Sequence, residues 1–434
     1  MRLPLSVLSL SLATLLTAGC ASTPSTGLEA PPLLDRPAAA ASAVRLPQQV
    51  EAPVILVSID GMRNDYTERG LTPTLKALEA RGTRAGFLRP SYPSITFPNH
   101  YTLVTGRRPD EHGVIANFMR DPTIPGVRFS MFDRNTVGDE RWWNDGKPLW
   151  TSVREAGGRA AAMFWVGSEA PVHGAHPEHW RPFDINMTSV DRVAQVLAWT
   201  DLPAEQRPHF ITLYFDVVDT AGHAHGPESA EVNAAIAEVD AALGQLMAGL
   251  RQRGLEDKAH IVIAADHGMI ATSPDKEIYL DDYIDARQIE LNWSGAYASF
   301  DAVAGGEAEA RKLLGRHERF ECMTRDQIPA RFQYGSHRRV PLYHCFVEPG
   351  YQLTTREALK RKGHRLHGEH GYDNQLADMH SPFIVAGPRI KAGHRIAGID
   401  NVDVHPLLAE LIGLEPLPSS GNLQHTAGAL VDKE

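Results

Sequence analysis

Cysteine is scarce in this chain. Cys20, Cys322 and Cys345 are its three cysteines, and none lies in the Cys-x-Pro/Ala-x-Arg setting of a sulfatase nucleophile. Positive charge is also short: 43 Lys and Arg against 53 Asp and Glu give a net charge of −10. Sequence-independent nucleic-acid binding needs a basic footprint, so no nucleic-acid partner is expected. A small anionic substrate is not excluded, because bound metal ions set the local field. No internal repeat is visible, and the N-terminal apolar run, Leu3 to Leu16, is too short to span a bilayer as a helix. The rest is ordinary globular composition, 43% apolar and 22% charged over 434 residues. That length allows one large α/β domain with insertions, or two domains.

The first residues read as an export signal over 1–19: Arg2, then the Ser/Thr-diluted apolar run, then small residues. The end of the run, Leu16-Thr-Ala-Gly-Cys20, resembles a bacterial lipobox, with Thr17 where leucine is commoner. The alternative is an ordinary signal peptide with an incidental cysteine. The lipobox implies a lipid-anchored Cys20 and a bacterial envelope location. Ala21 after it implies the outer membrane, facing the periplasm. Residues 20–50, rich in Ala, Pro, Ser and Thr, read as a flexible tether. Cys322 and Cys345 then form an even pair in an oxidising compartment, and a disulfide between them is expected over two buried thiols.

Ala52 to Asp60 is a near-continuous apolar run ending in a carboxylate, the pattern of a buried parallel strand with a polar tip. A helix is predicted over 72–81, strands over 159–165, 209–215, 260–266 and 381–386, and helices over about 228–253 and 403–411. Strands alternating with helices imply an α/β fold, a mostly parallel sheet flanked by helices. The rhythm breaks over about 276–368, which reads as an inserted α+β lobe. The domain is taken as 51–420, with a C-terminal tail over 421–434.

In such sheets, function collects where strands end. Asp60 ends one strand. Asp219 and His223, four apart, follow another and share a helical face. Asp266 and His267 end a third, and His370 precedes a fourth. Each alone has a bland reading as a cap, a turn former or a surface histidine. Three carboxylates and three imidazoles in one small volume need compensating positive charge, which a pair of divalent metals supplies. Asp/His ligation suits zinc, and manganese or iron are alternatives. Thr96, ahead of Phe97-Pro98 where a helix looks ready to begin, reads either as an N-cap, with Pro98 at the first helical position, or as a metal-activated nucleophile beside helix N–H groups that would hold an anion.

Asp60-Gly-Met-Arg63, Ser94-Ile-Thr-Phe-Pro-Asn-His100, Asp219-Thr-Ala-Gly-His223, Asp266-His-Gly-Met269 and Gly368-Glu-His-Gly-Tyr-Asp-Asn374 occur in one order. Over about 52–418 the chain thereby resembles the nucleotide pyrophosphatase/phosphodiesterase family of the alkaline phosphatase superfamily. The resemblance implies an alkaline-phosphatase-like fold and two zinc ions, one on Asp219, His223 and His370, the other on Asp60, Asp266, His267 and Thr96. It implies Thr96 as nucleophile, through a covalent phospho-threonine. Asn117 and the Phe97 N–H would contact phosphate, and the products would be nucleoside 5′-monophosphates. A base needs an aromatic face: Phe97 and Phe183 are the candidates, with Trp180 as a rival. His225, His364, His367 and His380 read as spare imidazoles, His367 being the competitor of His370. Lipid or choline diesters, a monoesterase and a non-catalytic metal-binding protein are the alternatives. A monoesterase would need extra cationic contacts around the phosphate, and only Arg63 is near in sequence.

Overall fold

The computed structural model describes residues 45–362, 366–415 and 417–432. The signal segment, Cys20, most of the 20–50 segment and His364 lie outside the described residues.

Eight strands form the central sheet. In spatial order they are His394–Ile396, Gly82–Ala85, Ile384–Ala386, His260–Ala264, Val54–Ile59, Phe210–Phe215, Ala160–Met163 and His179–Arg181. Ile384–Ala386 runs against both neighbours, and the other pairings are parallel. Val54–Ile59 is almost wholly apolar because both its faces are covered. Val54 and Leu56 enter one core; Ile55, Val57 and Ile59 enter the other. The Pro73–Arg81, Ser189–Thr200 and Ala230–Gln252 helices bury Leu75, Val193 and Ile236 in the second core. On the opposite face, Thr96–Thr105, Leu149–Glu155 and Val404–Ile412 bury Leu103, Val153 and Leu407. Three neighbouring parallel strands, His260–Ala264, Val54–Ile59 and Phe210–Phe215, therefore present their carboxyl ends side by side.

The segment with broken rhythm contains a five-stranded antiparallel sheet, in the order Ile289–Trp293, Tyr297–Ala302, Tyr343–Val347, Phe320–Thr324, Gly315–Arg316. It has its own core around Leu280, Phe300 and Phe320. Cys322 and Cys345 lie opposite each other on adjacent strands and are joined by a disulfide. The lobe meets the main domain near the Thr96 loop, where Tyr92 packs against Tyr297, Phe332 and Phe346 and its hydroxyl lies 2.6 Å from His344 Nε2.

Both ends of the described chain are attached, which corrects two boundaries. Leu46 and Val50, assigned to the tether, are buried, and their N–H groups donate to Ala156 O and Ala204 O. The apolar side chains carry this part of the segment onto the domain. Residues 421–432, expected as a tail, hold a short Gln424–Ala427 helix, a buried Ala429 and a 2.9 Å contact from His425 Nδ1 to Asp403 Oδ2.

Candidate active site

The Thr96–Thr105 helix has Ile95 as its N-cap, in extended conformation and without a side-chain cap. Thr96 is thus the first helical residue rather than a cap, and Pro98 the third rather than the first. The entry loop is held from inside the helix instead. Asn99 accepts from Ser91 N at 2.8 Å and donates to Pro93 O and Ile95 O. The Thr96 hydroxyl is left unspent by capping, and Oγ1 lies 3.4 Å from His267 Nε2.

Two groups of ligand-type atoms, each lying within 4.8 Å of one another, flank that helix start: Asp219, His223 and His370, and Asp60, Asp266 and His267. Asp219 and His223 share a face of the Val217–His225 helix. His223 Nδ1 bonds Gly368 O, His370 Nδ1 bonds Ser94 O and His267 Nδ1 bonds Gly268 O, at 2.9, 3.0 and 3.0 Å. A carbonyl only accepts, so each Nδ1 carries its proton and each Nε2 presents a lone pair, the atom type that ligates a metal. His223 and His370 bring their Nε2 atoms to 3.1 Å, and the His267 and His370 rings stack at 3.5 Å, joining the two groups.

The donor set fits metal. Asp60 Oδ1, Asp219 Oδ1 and Asp266 Oδ2 are buried without a hydrogen-bond donor. His267 Nε2 approaches Asp266 Oδ2 at 2.9 Å without making a hydrogen bond to it. Among the described residues, the ion-pair contacts to these three carboxylates come from histidines alone. Burial, then the charges of Asp266 and Asp219, holds the Asp60 carboxyl well above the ordinary range. Burial also raises Asp219. At Asp266 burial works the same way, but the His267 and His100 imidazoles outweigh it and bring the carboxyl down to about 2. Such unlike carboxylates crowded together lack a cation. Arg63 does not provide it. Its guanidinium is taken by Asp65, Glu228 and Met269 O.

Asn117 is nine-tenths buried beside the helix start, and its Oδ1 accepts the Phe97 N–H at 2.9 Å. That N–H was expected to face an anion directly; here it orients Asn117, whose Nδ2 is the group left to do so. The half-buried Phe97 ring rests against Phe129 and Trp143. Phe183 is partly buried, edge-on to Phe164 and 6.1 Å from Tyr214. Trp180 is stacked on His176. His367 is exposed and joins neither group, His225 is exposed 4.0 Å from Glu231, and His380 stacks on Phe87.

Sequence reasoning missed the residues behind the candidate ligands. The Tyr214 hydroxyl donates to Asp60 Oδ2 at 2.6 Å, and His100 stands under Thr96 and Asp266. Tyr214 is hidden in an apolar strand. The four-residue spacing of Thr96 and His100 was the available signal for the other.

The family model for type I phosphodiesterase / nucleotide pyrophosphatase matches residues 54–373. An uncharacterized pyrophosphatase/phosphodiesterase of Schizosaccharomyces pombe is 32% identical over 386 residues, 86% of this chain and 79% of that protein. Ectonucleotide pyrophosphatase/phosphodiesterase family member 1 of Rattus norvegicus is 33% identical over 88% of this chain, which spans 44% of that relative's length. Among solved structures, murine ectonucleotide pyrophosphatase/phosphodiesterase 5, in an inactive threonine-to-alanine form in complex with AMP, matches with a TM-score of 0.83 at 28% identity. That match covers 88% of this chain and 100% of the murine one. The chain belongs to the type I phosphodiesterase / nucleotide pyrophosphatase family.

Proposed function

We propose that this protein hydrolyses nucleotide phosphodiester or pyrophosphate bonds to nucleoside 5′-monophosphates, through a covalent phosphate ester on Thr96. The observation that carries the reading is the unspent Thr96 hydroxyl at a helix start, between two Asp/His groups whose buried oxygens lack donors. Asp219, His223 and His370 would hold one zinc ion, and Asp60, Asp266, His267 and Thr96 Oγ1 a second. Bound there, the ions would lower the pKa of the hydroxyl and neutralise charge on the attacking and leaving oxygens.

Thr96 Oγ1 attacks phosphorus in line, the bond to the leaving oxygen breaks, and the leaving group departs as an alcohol or phosphate. Water then attacks phosphorus from the opposite side, releasing the monophosphate and restoring Thr96. Asn117 Nδ2 donates to a non-bridging oxygen, its rotation held by the Phe97 N–H. Phe97 and Phe183 offer aromatic faces for the base. The engagement of Arg63 by carboxylates favours a diester, because a monoester brings a further charged oxygen that wants a cation. The AMP bound to the murine relative supports a nucleotide. Lipidation at Cys20 and an outer-membrane position facing the periplasm complete the reading, and would fit scavenging of external nucleotides.

The test is a paired assay on zinc-loaded protein, p-nitrophenyl thymidine 5′-monophosphate against p-nitrophenyl phosphate, with Thr96→Ala beside wild type. A large preference for the diester, abolished in Thr96→Ala at near-normal zinc content, is the expected result. A preference for the monoester would move the protein to the phosphatase branch. Loss of zinc together with activity in Thr96→Ala would make the threonine structural.

A further inference from the structure

We infer that His100 is a positioning residue that hydrogen-bonds the Thr96 peptide to the strand before Asp60 and stands against the Asp266 carboxylate; the inference rests on Thr96 being the nucleophile. His100 lies four residues after Thr96, so its side chain folds back over the first helical turn. The ring is fully buried, edge-on to Trp165 and Tyr214 at 5.2 and 5.0 Å. Nδ1 lies 3.0 Å from Thr96 O and 3.4 Å from Asp266 Oδ2. Nε2 lies 2.9 Å from Ser58 Oγ.

Those partners determine the tautomer. A peptide oxygen only accepts, so Nδ1 carries the proton. Nε2 of the neutral ring is then an acceptor, and the Ser58 hydroxyl donates to it. A fully buried imidazole is costly unless both nitrogens are bonded, and an apolar residue would fill this core position more simply. Here the two nitrogens reach all three elements that supply the second Asp/His group. Ser58 is on the strand that delivers Asp60, Thr96 opens the helix, and Asp266 follows the neighbouring strand. Asp266 Oδ1 is already held by Gly61 N at 3.2 Å. Oδ2 makes no hydrogen bond to His100 and stands 2.9 Å from His267 Nε2.

Two substitutions separate the nitrogens. In His100→Asn the amide nitrogen reaches the Nδ1 position. In His100→Gln it reaches the Nε2 position and leaves Thr96 O without its donor. The expected result is a kcat within about 10-fold of wild type for His100→Asn, and a fall of about 100-fold for His100→Gln with little change in KM. Zinc affinity, read by chelator competition without substrate, should fall about 10- to 100-fold in His100→Gln only. Equal losses in the two variants, or a milder His100→Gln, overturn the inference. Melting temperatures of both variants identify any loss that is only misfolding. Long-range ¹H–¹⁵N spectra of wild type, with the His100 signals assigned by their absence in His100→Asn, supply a readout independent of both variants' fitness. A proton on Nδ1 is expected, and a proton on Nε2 overturns the assignment. If wild type forms no phosphate ester on Thr96, the reading of the nucleophile fails, while tautomer and zinc affinity still decide the positioning role.

Discussion

Asp60 carries two unlike oxygens. Oδ2 accepts the Tyr214 hydroxyl, while Oδ1 is buried without a donor. Burial and the neighbouring carboxylates raise its pKa, so the metal-free folded protein holds a proton there more tightly than the unfolded chain does. The stability contributed by that proton is complete below the ordinary aspartate value of about 3.9 and is lost as pH rises through the raised value. A metal ion expels the proton and removes this dependence. The melting temperature gained on adding zinc should therefore be larger at about pH 8 than at about pH 5.5. Melting curves with and without zinc measure it, and an increment that shrinks with pH would contradict the Asp60 environment. The candidate ligands stood out in the sequence because Asp60, Asp266 and His267 follow strands and Asp219 and His223 lie four apart on the helix after one. Tyr214 did not, since a buried hydrogen bond leaves no periodicity and the residue sits where an apolar side chain would read the same, while His100 showed only its four-residue spacing from Thr96.

At the scale of elements, the turn after Val54–Ile59 is the most demanding. Gly61 adopts φ +67°, and a Cβ there would lie 2.9 Å from the Cα of Asp219. Close approach brings the first strand's turn against the Val217–His225 helix, so that Asp60 and Asp219 share a site. Gly61→Ala should cost about 1–3 kcal/mol from backbone strain, and should also displace Asp219. The expected outcome is a lower melting temperature together with reduced zinc stoichiometry. Full zinc binding in a destabilised variant would show that the approach serves packing alone. The strands and long helices were readable because runs such as 54–59 and 210–215 are buried on both sides of a parallel sheet. The reversed Ile384–Ala386 strand was readable as a strand but not in direction, because burial pattern is blind to polarity. The start of the Thr96 helix was misplaced because Pro98 is tolerated anywhere in a first turn, where its missing N–H costs nothing.

For the whole molecule, the 45–50 segment is docked onto the domain. Leu46 and Val50 together bury side chains worth about 1.5–3 kcal/mol each. A protein starting at residue 44 should therefore melt several degrees above one starting at residue 51, a shift that calorimetry on the two forms would record. Equal melting temperatures would make the segment a passive tether after all. The order of the central strands has another consequence, one of timing. Gly61 N and Asp266 Oδ1, 205 residues apart in sequence, meet only after the Val54–Ile59 and His260–Ala264 strands have paired. Loops of that length close late and slowly. A zinc ion taken up there would therefore find no complete seat on the chain while it is still collapsing. It would act as a latch on a finished fold, slowing escape from the native state while leaving the rate of reaching it unchanged.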